Sequence, residues 1–210
     1  MPSEASNLYV KAQRHLGRRD PVLKRLIAAV GPCTLTPNPD GFRVLLRAIV
    51  SQMISTKAAE SISARLETVL GGGRVTPAAV LAATDESMRG AGLSAAKVRA
   101  LRDLAERARN GALPFDRLPE MDDDEVVEHL VAVRGIGAWT AQMFLIFSLG
   151  RLDVLPVADL GLRAGVQDQF GLDALPDRAK LHQLAAPWQP YRSVATWYLW
   201  RSRGQVPQSK

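Results

Sequence analysis

This chain is punctuated throughout by residues that start and stop helices, and it nowhere shows the alternating β-branched runs of strands. Asp20-Pro21 sets a side-chain acceptor before a proline at the first helical position, and Gly31 stands where a positive-φ turn ends that helix. Asp40 caps a stretch through GFRVLLRAIVSQ, another helix runs over about 56–70 to Gly71-Gly72-Gly73, and Ser94 caps AAKVRALRDLAERARN before Gly111. The acidic run Asp122-Asp123-Asp124-Glu125 puts negative charge where a helix N-terminus favours it and leads into VVEHLVAV. AWTAQMFLIFSL, a helix opening near Asp159, one after Pro176 and a last one through YRSVATWYLWRSR bring the count to about ten. The N-terminal helix is expected to pack beside the C-terminal one. The prediction is an all-α fold.

Composition narrows what such a fold can do. A length of 210 residues allows one globular body, and 47% hydrophobic with 23% charged residues belongs to a packed core. No stretch approaches the roughly 20 apolar residues of a membrane span. The first residues lack a charged-then-apolar export pattern, so the expected location is the cytoplasm, in association with the nucleoid. A single cysteine, Cys33, excludes an internal disulfide and any site of several thiolates. His15, His129 and His182 lack ligand spacing, so no metal and no cofactor is expected. The net charge of +6 and the pI near 9.9 suit a polyanionic partner, because cations that neutralise phosphates release counterions from DNA.

The stretch LVAVRGIGAWTAQMFLIF, residues 130–147, joins two helices through Arg134-Gly135-Ile136-Gly137. Two glycines in so short a turn imply a positive φ or a close approach of the backbone to something else. Phosphate is a natural candidate, since main-chain N–H groups at the start of the second helix, aided by its dipole, attract an anion. Ile136 is expected to plug back into the core. A bare G-x-G would equally suit an ordinary corner between two helices. Here Val133, the Gly-Ile-Gly turn and Ala141 add the hydrophobic and small positions of a helix-hairpin-helix, an element that binds DNA without sequence preference.

On these residues the chain resembles the helix-hairpin-helix DNA glycosylase superfamily, in particular the 3-methyladenine DNA glycosylase II family. The likeness runs in fixed order over about residues 40–203, through AIVSQMISTKAA, GLSAAKVRALRDLA, VRGIGAWTA, DVLPVADLGLR and WQPYRSVATWYLW. The chain looks like a compact form without the N-terminal β-domain of larger bacterial members. The resemblance implies one domain over 1–210. It has two helical lobes, approximately 20–111 with the chain termini and 112–190, and a cleft that binds duplex DNA containing damaged bases.

The resemblance also implies roles for individual residues. Asp159, twenty positions beyond Trp139, matches the catalytic aspartate; its local alternative is a helix N-cap, and both can hold at once. Asp153 is expected to brace the preceding loop. Members of the superfamily that also cut the strand carry a lysine two residues after the second hairpin glycine, where this chain has Trp139. That substitution points to simple hydrolysis. Trp139, Met143 and Trp200 match base-pocket positions, and Met143 replaces an aromatic residue there; plain core packing is the alternative for each tryptophan. Met53 matches the wedge that fills the gap left by an extruded base, and Gln52 beside it is placed to hydrogen-bond DNA. Arg134, Gly135, Ile136 and Gly137 form the hairpin contact, while Lys57, Lys97 and Arg163 are candidate phosphate ligands.

The function implied is base-excision repair by a monomeric, monofunctional glycosylase that flips alkylated purines, of 3-methyladenine or 7-methylguanine type, out of duplex DNA and hydrolyses their N-glycosidic bond. A glycosylase of the same fold for deaminated or oxidised bases, and a non-catalytic helix-hairpin-helix DNA-binding module, are the alternatives.

Overall fold

The computed structural model describes residues 4–73 and 75–204. Among them are twelve α-helices, two short 3-10 turns and no strand. In order these are α1 (Glu4–Arg19), α2 (Pro21–Val30), α3 (Gly41–Ser51), α4 (Thr56–Val69), α5 (Pro77–Ala82), α6 (Asp85–Gly90), α7 (Ala95–Asn110), α8 (Asp123–Val131), α9 (Ala138–Phe147), α10 (Leu160–Phe170), α11 (Arg178–Ala185) and α12 (Arg192–Ser202).

The caps read from the sequence are made. Asp20 accepts from the Val22 and Leu23 amides, Asp40 from Arg43, Ser94 from Lys97 and Asp159 from Leu162. Asp122 and Glu125 form a reciprocal capping box that opens α8. Each such cap satisfies an otherwise orphaned amide and is typically worth about 1 kcal/mol. Helices α5 and α6 were not anticipated. They have six residues each, too few to show a 3.6-residue period, and are marked only by their caps, Thr76 before Pro77 and Thr84 before Asp85.

The chain forms two compact units. In the first, residues 4–37 and 150–204, α1 packs on α2 and α12, and α10 lies against α12. Leu16, Leu23, Trp188, Tyr198 and Trp200 are its largest fully buried side chains. Trp188 donates its indole N–H to Asp20 Oδ2 at 2.8 Å, tying a 3-10 turn (Ala186–Trp188) to the start of α2. The expected pairing of the N- and C-terminal helices is present here.

The second unit, Asn38–Leu149, contains α3 to α9. Its extent differs from the expected boundary near residue 111. Phe42 of α3, Phe115 and Phe144 of α9 pack edge-on with centroids 6.0 and 6.4 Å apart, so residues 112–149 share a core with the helices before them. Gly41 makes room for these rings, since a Cβ there would come within 2.9 Å of Phe115 and 3.0 Å of Phe144. The segment from Gly150 to about 190, expected beside the hairpin, packs instead with the chain ends.

Candidate nucleic-acid interface and catalytic carboxylate

Within the second unit the turn between α8 and α9 is the predicted hairpin. Gly135 takes a φ of 80°, where a side chain would be strained. Val133, Ile136 and Ala141 are buried, Ile136 to 4% exposure, so the isoleucine anchors the turn and offers no surface to a ligand. Gly137 opens α9 with no side-chain cap, and a Cβ placed on it would meet nothing within 4 Å. The glycine is therefore not demanded by the protein's own packing. Its missing side chain leaves open space before a helix N-terminus, where an anion is favoured.

Two side chains dock the hairpin onto its neighbours. Asp103 of α7 accepts the Arg134 amide at 2.7 Å, and Gln52 donates from Nε2 to the Gly135 carbonyl at 2.8 Å. Asp103 was missed from sequence, because its partner is a main-chain amide 31 residues away. The Gln52 amide group, expected on DNA, is engaged with the hairpin and braces the loop after α3. Met53, next in that loop, is fully exposed (101%) and has a φ of 59°, the only positive φ of a non-glycine among the described residues. A methionine held wholly in solvent in this conformation is no core residue.

Of the predicted basic residues, Lys57 and the Arg134 side chain are exposed. Lys97 is half-buried, and its Nζ donates to the carbonyls of Val50 (2.7 Å) and Gln52 (2.9 Å). Burial pushes its pKa down from the usual 10.5. In the first unit Arg163 donates to the Pro176 carbonyl at 2.9 Å, committing its Nε to its own loop.

Trp139 stands in the first turn of α9 with 38% of its surface exposed, which removes plain core packing as its explanation. Met143, one turn further, is wholly buried, and residues 144 to 147 in the second half of α9 are buried as well. It belongs to the core and lines no open base pocket.

In the first unit, Asp159 is the N-cap of α10 and only 6% exposed. Its Oδ1 accepts both the Leu162 amide and the indole N–H of Trp200, the latter at 2.8 Å. Trp200 has no accessible surface, since residues 193–200 of α12 are buried all round. Trp200, expected in the base pocket, has no exposed surface here and instead bonds the carboxylate. Two glycines missed in the sequence permit this. A Cβ at Gly165 would lie 2.9 Å from the Leu199 carbonyl oxygen, and one at Gly161 would lie 3.2 Å from Asp159 Oδ1 and 3.3 Å from Trp200. Their spacing of one helical turn was the available signal. Asp153 braces as expected, receiving Arg192 at 2.8 and 2.9 Å on its two carboxylate oxygens.

Residues 46–190 match the model of the HhH-GPD superfamily base excision DNA repair proteins. The alkylbase DNA glycosidase-like protein mag2 of Schizosaccharomyces pombe is 34% identical over 95% of this chain and 94% of its own length. The 3-methyladenine DNA glycosylase Mag1 of the same yeast, solved in complex with abasic DNA, superposes with a TM-score of 0.82 at 33% identity, covering 95% of this chain and all of that one. A DNA-3-methyladenine glycosidase from Bacillus halodurans gives a TM-score of 0.83 at 38% identity over 92% of this chain and 89% of its own. With an all-helical fold, a glycine-cornered hairpin and an aspartate capping the helix beyond it, this chain belongs to the HhH-GPD superfamily of base excision DNA repair proteins.

Proposed function

We propose that the chain is a monofunctional DNA glycosylase that flips alkylated purines from duplex DNA and hydrolyses their N-glycosidic bond, with Asp159 as the catalytic carboxylate. The observation that carries this reading is the carboxylate itself, an α10 cap whose Oδ1 accepts two N–H donors, in a chain with relatives named 3-methyladenine glycosylases.

A purine methylated at N3 or N7 carries positive charge in the nucleoside, so it departs as a neutral base without needing a proton. As the C1′–N bond breaks, positive charge moves onto the deoxyribose. Asp159 stabilises that oxocarbenium-like sugar and orients the water whose oxygen bonds to C1′, the water's proton being released. Fixing the carboxylate beforehand means that little reorganisation is needed during reaction. The residue two after Gly137 is Trp139 and not lysine, which favours hydrolysis over a Schiff base and strand cleavage. The exposed Trp139 ring is a stacking surface for an extruded cationic base, an attraction of about 0.5–2 kcal/mol. Met53 is the wedge that replaces the base in the stack. Gly135 and Gly137, with Arg134 and Lys57, contact phosphates. The protein acts as a monomer on DNA of the nucleoid.

The test is excision by wild type and Asp159→Asn on duplexes carrying single methylated, deaminated or oxidised bases, developed with hot alkali. Alkali-dependent cleavage at methylated purines, lost by at least about 100-fold in the variant while DNA binding persists, is the expected result. Strand breaks without alkali, or a fully active variant, would overturn it.

A further inference from the structure

We propose that Lys97 is a positioning residue for base flipping: by bonding two carbonyls at the end of α3 it holds the loop that presents Met53. The proposal rests on the reading of Met53 as the wedge.

Lys97 stands in the first turn of α7, where that helix's own dipole disfavours a cation. Its ammonium turns away to the C-terminal end of α3, where unpaired carbonyls carry partial negative charge and a cation is favoured. There it bonds the carbonyls of Val50 and Gln52 at 2.7 and 2.9 Å, which flank Ser51, and Gln52 immediately precedes Met53. The same Gln52 is fastened through its side chain to the Gly135 carbonyl at 2.8 Å. One residue is thus clamped by its main chain to α7 and by its side chain to the hairpin. The next residue, Met53, has no packing of its own to fix it, being fully exposed at a φ of 59°. A bulky residue leaves the left-handed region readily unless its surroundings hold it there. Those surroundings are the Lys97 and Gln52 bonds. In this arrangement the lysine amine faces carbonyls, and DNA phosphates are contacted by other residues.

The distinction is measurable. A lysine that contacts phosphate contributes about one unit to the slope of log affinity against log salt, and a lysine that shapes a loop contributes none. Wild type, Lys97→Met, Lys97→Arg, Met53→Ala and the double variant Lys97→Met with Met53→Ala would be compared. The readouts are thermal melting, affinity for undamaged duplex across salt concentrations, and fluorescence of 2-aminopurine next to a methylated purine, which reports unstacking.

Lys97→Met is expected to stay folded and keep the salt slope, while unstacking and single-turnover excision fall by about 10-fold. Lys97→Arg should recover most of this, because a guanidinium can also donate to two carbonyls. The double variant should be little worse than Met53→Ala alone. A slope reduced by about one, additive losses, or normal unstacking in a folded Lys97→Met would overturn the proposal. If Met53→Ala unstacks and excises like wild type, the wedge reading itself falls.

Discussion

Trp200 and Asp159 are joined by an indole N–H bond of 2.8 Å to Oδ1, the same oxygen that accepts the first-turn amide of α10. A second aspartate, Asp20, is also a helix cap bonded to an indole, but there the donors are divided, backbone amides on Oδ1 and Trp188 on Oδ2. The chain therefore uses one local device twice. At Asp20 the amides and the indole bond different carboxylate oxygens, whereas at Asp159 the cap and the indole meet on Oδ1.

Replacing Trp200 with Phe keeps a smaller aromatic ring in the buried site and removes the donor. A hydrogen bond to a charged group is worth about 1.5–3 kcal/mol, so single-turnover excision should slow by roughly 10- to 100-fold. Affinity for duplex DNA should change little. Equal excision rates for wild type and Trp200→Phe would show that the indole does not position the carboxylate.

The glycine face of α10 is the second element of that geometry. A Cβ at Gly165 would press on the Leu199 carbonyl oxygen at 2.9 Å, which is main chain and cannot swing aside. Gly165→Ala should lower stability by about 1–3 kcal/mol, read as a lower urea midpoint at unchanged slope. Gly161→Ala meets side chains at 3.2 and 3.3 Å, so it should be milder in stability and more severe in excision. Identical stability of Gly165→Ala and wild type would contradict the packing of α10 on α12.

Most of the helices were legible because caps and glycine stops are local chemistry. Asp20, Asp40, Ser94, Asp122 and Asp159 each bond an amide two or three residues on. Gly135 and Gly137 were legible for the same reason. What sequence did not disclose depends on partners distant in the chain. Lys97 and Arg163 looked like surface cations, but they meet carbonyls 47 and 13 residues away. Trp200 resembled a pocket residue, yet α12 is buried on all sides and its indole meets Asp159 across 41 residues. Asp103, Gly161 and Gly165 carry no local pattern strong enough to separate them from ordinary helix residues.

Gly137 offers a test in which folding and binding separate. Its Cβ would meet nothing in the protein, and its φ of −100° suits any residue, so Gly137→Ala should melt like wild type. The added methyl would stand where the proposed function places a phosphate, before the N-terminus of α9. Affinity should fall by about 10-fold, uniformly across duplex sequences, in an anisotropy titration. Gly135→Ala should behave differently, losing stability because its φ of 80° strains a side chain. Unchanged DNA affinity in Gly137→Ala would remove the hairpin from the interface.

A buried cluster in the first unit makes the fold sensitive to alkali. Burial pushes the Cys33 thiol from 9.0 up to about 11, and burial followed by the neighbouring Cys33 charge pushes Tyr9 and Tyr198 from 10.0 up to about 12. The Tyr198 hydroxyl is fixed as well, donating to the Gly31 carbonyl and accepting from Gln13, both at 2.7 Å. Below about pH 8.5 folded and unfolded chains hold these protons nearly alike, so the cluster adds little pH dependence there. Above it the unfolded chain releases protons that the folded chain keeps, so stability must fall as pH rises toward 11 to 12. The urea midpoint is therefore expected to be level in this respect up to about pH 8.5 and to drop beyond it, less steeply in Cys33→Ala than in wild type. Native Cys33 should also resist a thiol reagent at pH 8 and react once the chain is unfolded. Parallel midpoint curves for the two proteins between pH 9 and 11 would show that the thiol is not held in its neutral form by burial.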